Sequence, residues 1–171
     1  MRLKDKTAII TGGGSGIGLA TARAFCKEGA KVILFGRRKE KLISAADELG
    51  DSVLIVQGDM THNDDLDQLI NKTLNNFKGI DILVNSAGLF NGAPLHEISD
   101  SQWDGMMDIN IRSVFQLTRR VLPIMMTQKS GSIVHISSIL GLIAVPQVAA
   151  YNVSKGALNQ FSLSIAVEYG S

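Results

Sequence analysis

A doubly wound α/β domain, with one parallel sheet between two layers of helices, is what this sequence predicts. Three observations lead there. Five short apolar runs rich in Val, Ile and Leu recur along the chain, each of strand length. The segments between them repeat their apolar residues at three- and four-residue spacing, as a helix with one buried side does. The first run also opens directly into a glycine cluster, Gly12 to Gly18, followed by a helical pattern. Strands and helices alternating over short connections give a parallel sheet with its ligand at the strands' C-terminal ends. The 171 residues suit one domain, 1–171, long enough for a substantial core.

Bulk properties narrow the function. Hydrophobic residues make up 45% and charged ones 19%, an ordinary globular composition. The net charge is +1, from 17 basic and 16 acidic residues spread along the chain. No basic run points to nucleic acid, and no basic amphipathic stretch points to a membrane surface. Cys26 alone makes no disulfide framework and suits a reducing compartment, where a packed thiol is the simplest reading. Residues 130–154 lack Asp, Glu, Lys and Arg, but Ser, Gly, Pro146 and Gln147 interrupt the stretch. A buried strand and a loop account for it better than a membrane span. The first residues lack the apolar core of a signal peptide, and a cytoplasmic location is the default expectation.

The elements follow in order. Thr7–Thr11 is the first strand, and after the glycines Ile17, Ala20 and Ala24 fall on one side of a helix. A strand, a glycine turn and a helix make a phosphate site for physical reasons. Glycine lets the backbone approach a pyrophosphate, and the helix N-terminus presents unpaired N–H groups. Gly12, Ser15, Gly16, Ile17 and Gly18 are therefore candidate dinucleotide contacts.

Lys31–Phe35 is the second strand, followed by Gly36, Arg37 and Arg38 and a helix with Leu42, Ala45, Ala46 and Leu49 inward. The end of this strand lies beside the adenosine ribose in a dinucleotide fold. An acidic residue there would hold a free 2′-hydroxyl, whereas Arg37 and Arg38 suit a 2′-phosphate. NADP is thus the preferred cofactor, with NAD possible.

Val53–Val56 is a third strand ending at Gly58, Asp59 and Met60. A helix from near Asn63 has Asp64 and Asp65 in its positive first turn and Leu66, Leu69, Ile70, Leu74 and Phe77 inward. Ile80–Val84 is the fourth strand, leading into Asn85, Ser86, Ala87 and Gly88. Ser99 and Gln102 form a capping box before Trp103. A long apolar-rich segment runs from Asn110 through Met126, and Pro123 is expected to kink or loosen its end. Met106, Met107, Met125 and Met126 read as core filling. Ser132–Ile136 is the fifth strand, delivering Ser137 and Ser138 to the edge that carries the glycine turn. His62, His96 and His135 show no metal spacing, and His135 reads as a hydrogen-bonded core residue.

Tyr151 and Lys155 stand four apart at the start of a last helix, with Leu158, Phe161 and Ile165 continuing its apolar spacing. Four residues apart is one helical face. A phenol ordinarily titrates near ~10. A lysine cation ~4 Å away favours the phenolate by up to ~4 kcal/mol at an effective dielectric near 20, enough to bring the phenol well towards neutrality. Such a tyrosine exchanges protons with a carbonyl or an alcohol.

With these residues in view, the chain closely resembles the short-chain dehydrogenase/reductase family over nearly its whole length. The resemblance rests on Thr11-Gly12-x-x-x-Gly16-x-Gly18, Asp59, Asn85-Ser-Ala-Gly88, Asn110 and Ser138-x12-Tyr151-x-x-x-Lys155, all in family order. It implies a Rossmann-like fold and hydride transfer between a nicotinamide and a carbonyl/alcohol carbon. By that resemblance Tyr151 is the general acid/base and Ser138 orients the substrate oxygen. Lys155 assists the tyrosine and holds the nicotinamide ribose, and Asn110 helps hold a water relaying protons to Lys155. Asp59 and the backbone of Met60 meet the adenine, while Asn85, Ala87 and Gly88 line the cofactor's inner edge.

Ser86 stands where the family commonly has a second asparagine, and His135 where it often has asparagine. Family members also continue through two further strands and a substrate-covering segment. The expectation is therefore that residue 171 is not the natural end of the polypeptide. It is also that strand 132–136 has an open edge, and that Val167–Ser171 is a helix cap leading into a loop. A homodimer or homotetramer is expected, through helices starting near residues 105 and 150, with Val114, Phe115, Leu158 and Phe161 as exposed candidates. The rival functional reading is a dinucleotide-binding regulatory or interaction protein without turnover.

Overall fold

In the computed structural model, which describes residues 1–170, five strands form one sheet. They are β1 (Thr7–Thr11), β2 (Lys31–Gly36), β3 (Val53–Gln57), β4 (Ile82–Asn85) and β5 (Ser132–His135). All neighbours are parallel, in the order β3-β2-β1-β4-β5. The helices are α1 (Gly16–Lys27), α2 (Lys39–Leu49), α3 (Asn63–Phe77), α4 (Asp100–Met107), α5 (Ser113–Gln128) and α6 (Ala149–Tyr169).

Alternation along β1 shows how the sheet buries both faces. Ile9 joins Ile33, Leu83, Leu66 and Leu117 on the side of α3 and α5. Ala8 and Ile10 join Val32, Leu34, Ala22 and Leu42 on the side of α1 and α2. Successive side chains of a strand point to opposite faces, so a central strand must be apolar throughout, as β1 is. After β1 the chain winds outward to β2 and β3, then returns past β1 to β4. The reversal opens a crevice at the C-terminal ends of β1 and β4.

Several local readings need correction. Ile17, Ala20 and Ala24 face outward on α1, and its inner side is Ala22 with Leu19, Phe25 and Cys26. Ile80 is buried but precedes β4, which begins at Ile82. Pro123, expected to kink or loosen the helix end, lies inside α5, which runs on to Gln128 with Thr127 Oγ1 donating to the Pro123 carbonyl. Met106 and Met125 fill the core as expected, but Met126 is 58% exposed because it lies on the outer side of α5. Val114 and Leu158, expected at an outer surface, are each only 2% exposed because they face into the fold. Of the expected assembly residues this leaves Phe115, exposed, and Phe161, half-buried, with ring centroids 6.2 Å apart.

The capping box at Ser99 and Gln102 is formed in both directions. Between α4 and α5, Asp108–Arg112 is a π-helical turn, wider than an α turn and unforeseen. The helix α6 ends at Tyr169 with Gly170 as its cap, and Ser171 lies outside the described residues. β5 forms one edge of the sheet, with Val134 exposed. Among the described residues no helix is long and apolar enough to cross a membrane.

Candidate active site

A cleft of about 380 Å³ lies at the C-terminal ends of the strands, its floor formed by the glycine turn. Gly12, with φ of 66°, and Gly16, with φ of 54°, take left-handed conformations that turn the chain from β1 into α1. Gly18 serves closeness instead. A Cβ there would stand 2.5 Å from the Gly12 carbonyl oxygen, so only glycine lets α1 start this near the turn. Gly12, Ser15, Gly16 and Ile17 line the cleft, and Ile17 is exposed because it faces this opening. Gly18 is buried behind them.

Basic groups gather where β2 ends. Arg38 donates from Nη2 to Ser15 Oγ at 3.0 Å, linking the start of α2 to the glycine turn. Arg37 Nη1 lies 3.7 Å from Asp59 Oδ2. Lys41, one turn into α2, also lines the cleft. It was missed, although its three-residue spacing from Arg38 was a readable signal. Asp59 accepts from both the N–H and the hydroxyl of Thr61, at 2.9 and 2.8 Å. Burial opposes its charge, but those bonds and Arg37 outweigh it and hold the carboxyl below its ordinary range. Met60 completes this wall.

Thr11 ties the two central strand ends together. Its buried hydroxyl accepts from the N–H groups of Ser86 and Ala87, each at 3.0 Å. Ser86, Ala87 and Gly88 line the cleft. Asn85 does not, contrary to expectation. It is the last residue of β4, and its side chain turns beneath the sheet edge, where Nδ2 meets His135 Nδ1 at 3.0 Å and Thr118 Oγ1 at 3.4 Å. It ties the end of β4 to β5 and α5 rather than lining the cleft.

His135 is hydrogen-bonded on one nitrogen only. Its Nε2, like Asn85 Oδ1, is buried with no partner among the described residues. Burial pushes the imidazole down to about 4 from the ordinary 6.5. Between those values the unfolded chain binds a proton that the folded chain refuses, so stability falls as pH drops from 6.5 towards 4. The loss is on the order of 3 kcal/mol at most. Denaturant midpoints at pH 7.5 and 4.5 should therefore differ less in His135→Gln than in the parent. An unchanged difference would place the acid sensitivity elsewhere.

The π-helical turn carries Asn110, which is buried. Its Oδ1 accepts from Leu89 N at 2.8 Å, and its Nδ2 donates to Leu89 O at 3.0 Å and to Ser154 Oγ at 3.0 Å. The carboxamide thus pairs with the loop after β4 as a neighbouring strand would and ties that loop to α6. Lys155 is 6% exposed, and its Nζ donates to the Ile136 carbonyl at 2.8 Å. Burial pulls the ammonium below its ordinary pKa. Its nitrogen also lies 5.6 Å from the Tyr151 ring centroid.

Tyr151 is half-buried, packed edge-on against Phe90 with centroids 4.9 Å apart. Phe90 was also missed, since a loop phenylalanine outside any motif gives no signal in sequence. Ser138 caps a short 3₁₀ turn after β5, its Oγ accepting from Leu140 N at 3.1 Å. The segment is fastened to α6 by Ser137 Oγ donating to Lys155 O and by Asn159 Nδ2 donating to Gly141 O. Among the described residues no group of three or more His, Cys, Asp and Glu is arranged so that it could hold a metal ion.

Comparison with known proteins adds an independent line. A family profile described as short chain dehydrogenase matches residues 6–171. An uncharacterized oxidoreductase of Staphylococcus aureus (strain USA300) is 38% identical over 167 residues, covering 97% of this chain and 72% of that protein. A short chain dehydrogenase from Bacillus anthracis superposes with a TM-score of 0.94 at 31% identity, covering 98% of this chain and 71% of its own. Serine dehydrogenase from Escherichia coli superposes with a TM-score of 0.90 at 35% identity, covering 95% and 76%.

Proposed function

The chain belongs to the short-chain dehydrogenase/reductase family of oxidoreductases, and on that premise we propose that it interconverts a carbonyl and a secondary alcohol using NADP(H). The observation that carries the reading is the group on α6 and the π-helical turn. Tyr151 and Lys155 stand one turn apart, with Lys155 anchored to Ile136 O at 2.8 Å and Asn110 bonded to the same helix through Ser154. A mere dinucleotide binder has no need of a tyrosine beside a buried lysine.

The residues present fit a dinucleotide. Backbone lies so close around the glycine turn that a Cβ on Gly18 has no room, and a Cβ on Gly88 would stand 3.4 Å from Asn110 Oδ1. Gly12, Gly16 and the N-terminus of α1 would receive the pyrophosphate. Asp59 and Met60 would flank the adenine, Ala87 and Gly88 the inner edge, and Lys155 the nicotinamide ribose. A bound nicotinamide supplies the hydride, and the protein supplies orientation and protons.

In the direction of reduction, Ser138 Oγ would donate a hydrogen bond to the carbonyl oxygen, holding it beside Tyr151. The Tyr151 hydroxyl would give its proton to that oxygen as charge develops there. The Lys155 nitrogen, 5.6 Å from the ring centroid, puts a positive charge beside the group that gives up the proton. Asn110 fixes the Leu89 loop against α6, so the cleft wall and the proton donor keep their relative position. NADPH consumption with a panel of ketones and oxo acids, and NADP⁺ reduction with secondary alcohols and 3-hydroxy amino acids, test the reading. Cofactor binding without turnover across the panel would favour the non-catalytic alternative.

Cofactor choice rests on Arg37, Arg38 and Lys41 at the end of β2. Charge-assisted hydrogen bonds to a 2′-phosphate are worth enough that Arg38→Ala should weaken NADPH by about tenfold while NADH changes less than twofold. The preference for NADPH should shrink as salt rises. Equal affinities for the two cofactors in a competition titration would refute the assignment.

A further inference from the structure

The geometry points to a substrate whose carbonyl carries an uncharged apolar or aromatic group, with Phe90 forming the wall that the group meets. This rests on the oxidoreductase reading above and narrows it. Two segments flank Tyr151. The loop after β4 brings Phe90 edge-on to the tyrosine ring, 4.9 Å between centroids. The segment between Ser138 and Tyr151 is tied to the start of α6 by Asn152 Nδ2 donating to the Ile143 carbonyl at 3.2 Å. The two segments also meet each other, since a Cβ on Gly92 would lie 2.6 Å from the Gln147 carbonyl.

Residues 89–95 and 139–150 contain no Asp, Glu, Lys, Arg or His. They expose large apolar side chains instead, with Phe90 62% accessible, Leu142 76% and Ile143 54%. The nearest titratable side chains along the loop, His96 and Glu97, lie 3.7 Å from one another and are largely exposed. A substrate carboxylate or ammonium brought against these walls would lose water and meet only the amides of Asn91 and Gln147, with no opposite charge, a costly exchange. An aryl or alkyl group would lose only unfavourable hydration, and an aromatic one would pack on the Phe90 ring.

The test compares kcat/KM of the full chain with NADPH on matched ketones, acetophenone-like compounds against oxo acids of similar size. The neutral ketones should be favoured by tenfold or more. Phe90→Ala should then lower kcat/KM on the aryl ketones by about tenfold, chiefly through KM, with NADPH affinity unchanged within twofold. Phe90 is exposed, so its loss does not threaten folding. Turnover confined to the charged substrates, or a Phe90→Ala variant with unaltered KM, would overturn this inference and leave the oxidoreductase reading intact. No turnover of either class despite NADPH binding would overturn both.

Discussion

Tyr151→Phe is expected to reduce turnover by about 10²–10⁴-fold, the usual contribution of a positioned proton donor. The NADPH dissociation constant should move less than twofold. Both expectations come from what the ring touches. Phenylalanine retains the edge contact with Phe90 and the neighbouring Lys155 nitrogen 5.6 Å from the centroid. The hydroxyl makes no hydrogen bond to protein among the described residues, so its removal strands no buried partner. Unfolding curves of the variant and the parent should therefore coincide. A variant with near-normal rates would take the tyrosine out of the mechanism.

Gly18→Ala should cost both binding and stability. The added Cβ would stand 2.5 Å from the Gly12 carbonyl oxygen, 2.9 Å from its carbonyl carbon and 3.2 Å from Gly13 Cα. These are backbone atoms with no rotamer to change, so either the turn or α1 must move. Overpacking of this kind costs about 1–3 kcal/mol. Because the displaced atoms are the proposed pyrophosphate cradle, NADPH affinity should fall by about tenfold or more, as 1.4 kcal/mol is a factor of ten. Gly105→Ala is the matched control. That glycine lies in α4 with nothing within 4 Å of its added Cβ, and the change should be neutral or stabilising. Calorimetric titration and denaturant unfolding of both variants settle it. A Gly18→Ala protein that binds NADPH normally would show that the turn is not the cradle.

The strands were legible because a parallel sheet buried on both faces needs unbroken apolar runs, and Ala8, Ile9 and Ile10 form one. The glycine turn was legible because its spacing is dictated by close backbone approach. What escaped depends on packing between distant segments. Asn85 was read as a cleft residue, yet its place at the end of β4 turns the side chain to His135 and Thr118. Helical periodicity marked Val114 and Leu158 as apolar but could not say whether core or solvent lay beside them. Lys41 matters because the fold carries it to the cleft, and Phe90 because the fold packs it on Tyr151, and neighbouring residues in sequence reveal neither.

The π-helical turn at Asp108–Arg112 can also be regarded as a length, one residue more than an α-helix needs. A wide turn holds its extra residue within a single revolution, so the helices on either side keep the faces they would have if the turn were α-helical. Deleting one residue here should therefore leave Met106, Leu117 and Val121 in the core, where all three are fully buried. What such a deletion removes is the place of Asn110 against Leu89. It should cost the site more than the fold, a split that denaturant unfolding and NADPH binding of the deletion variant would read directly.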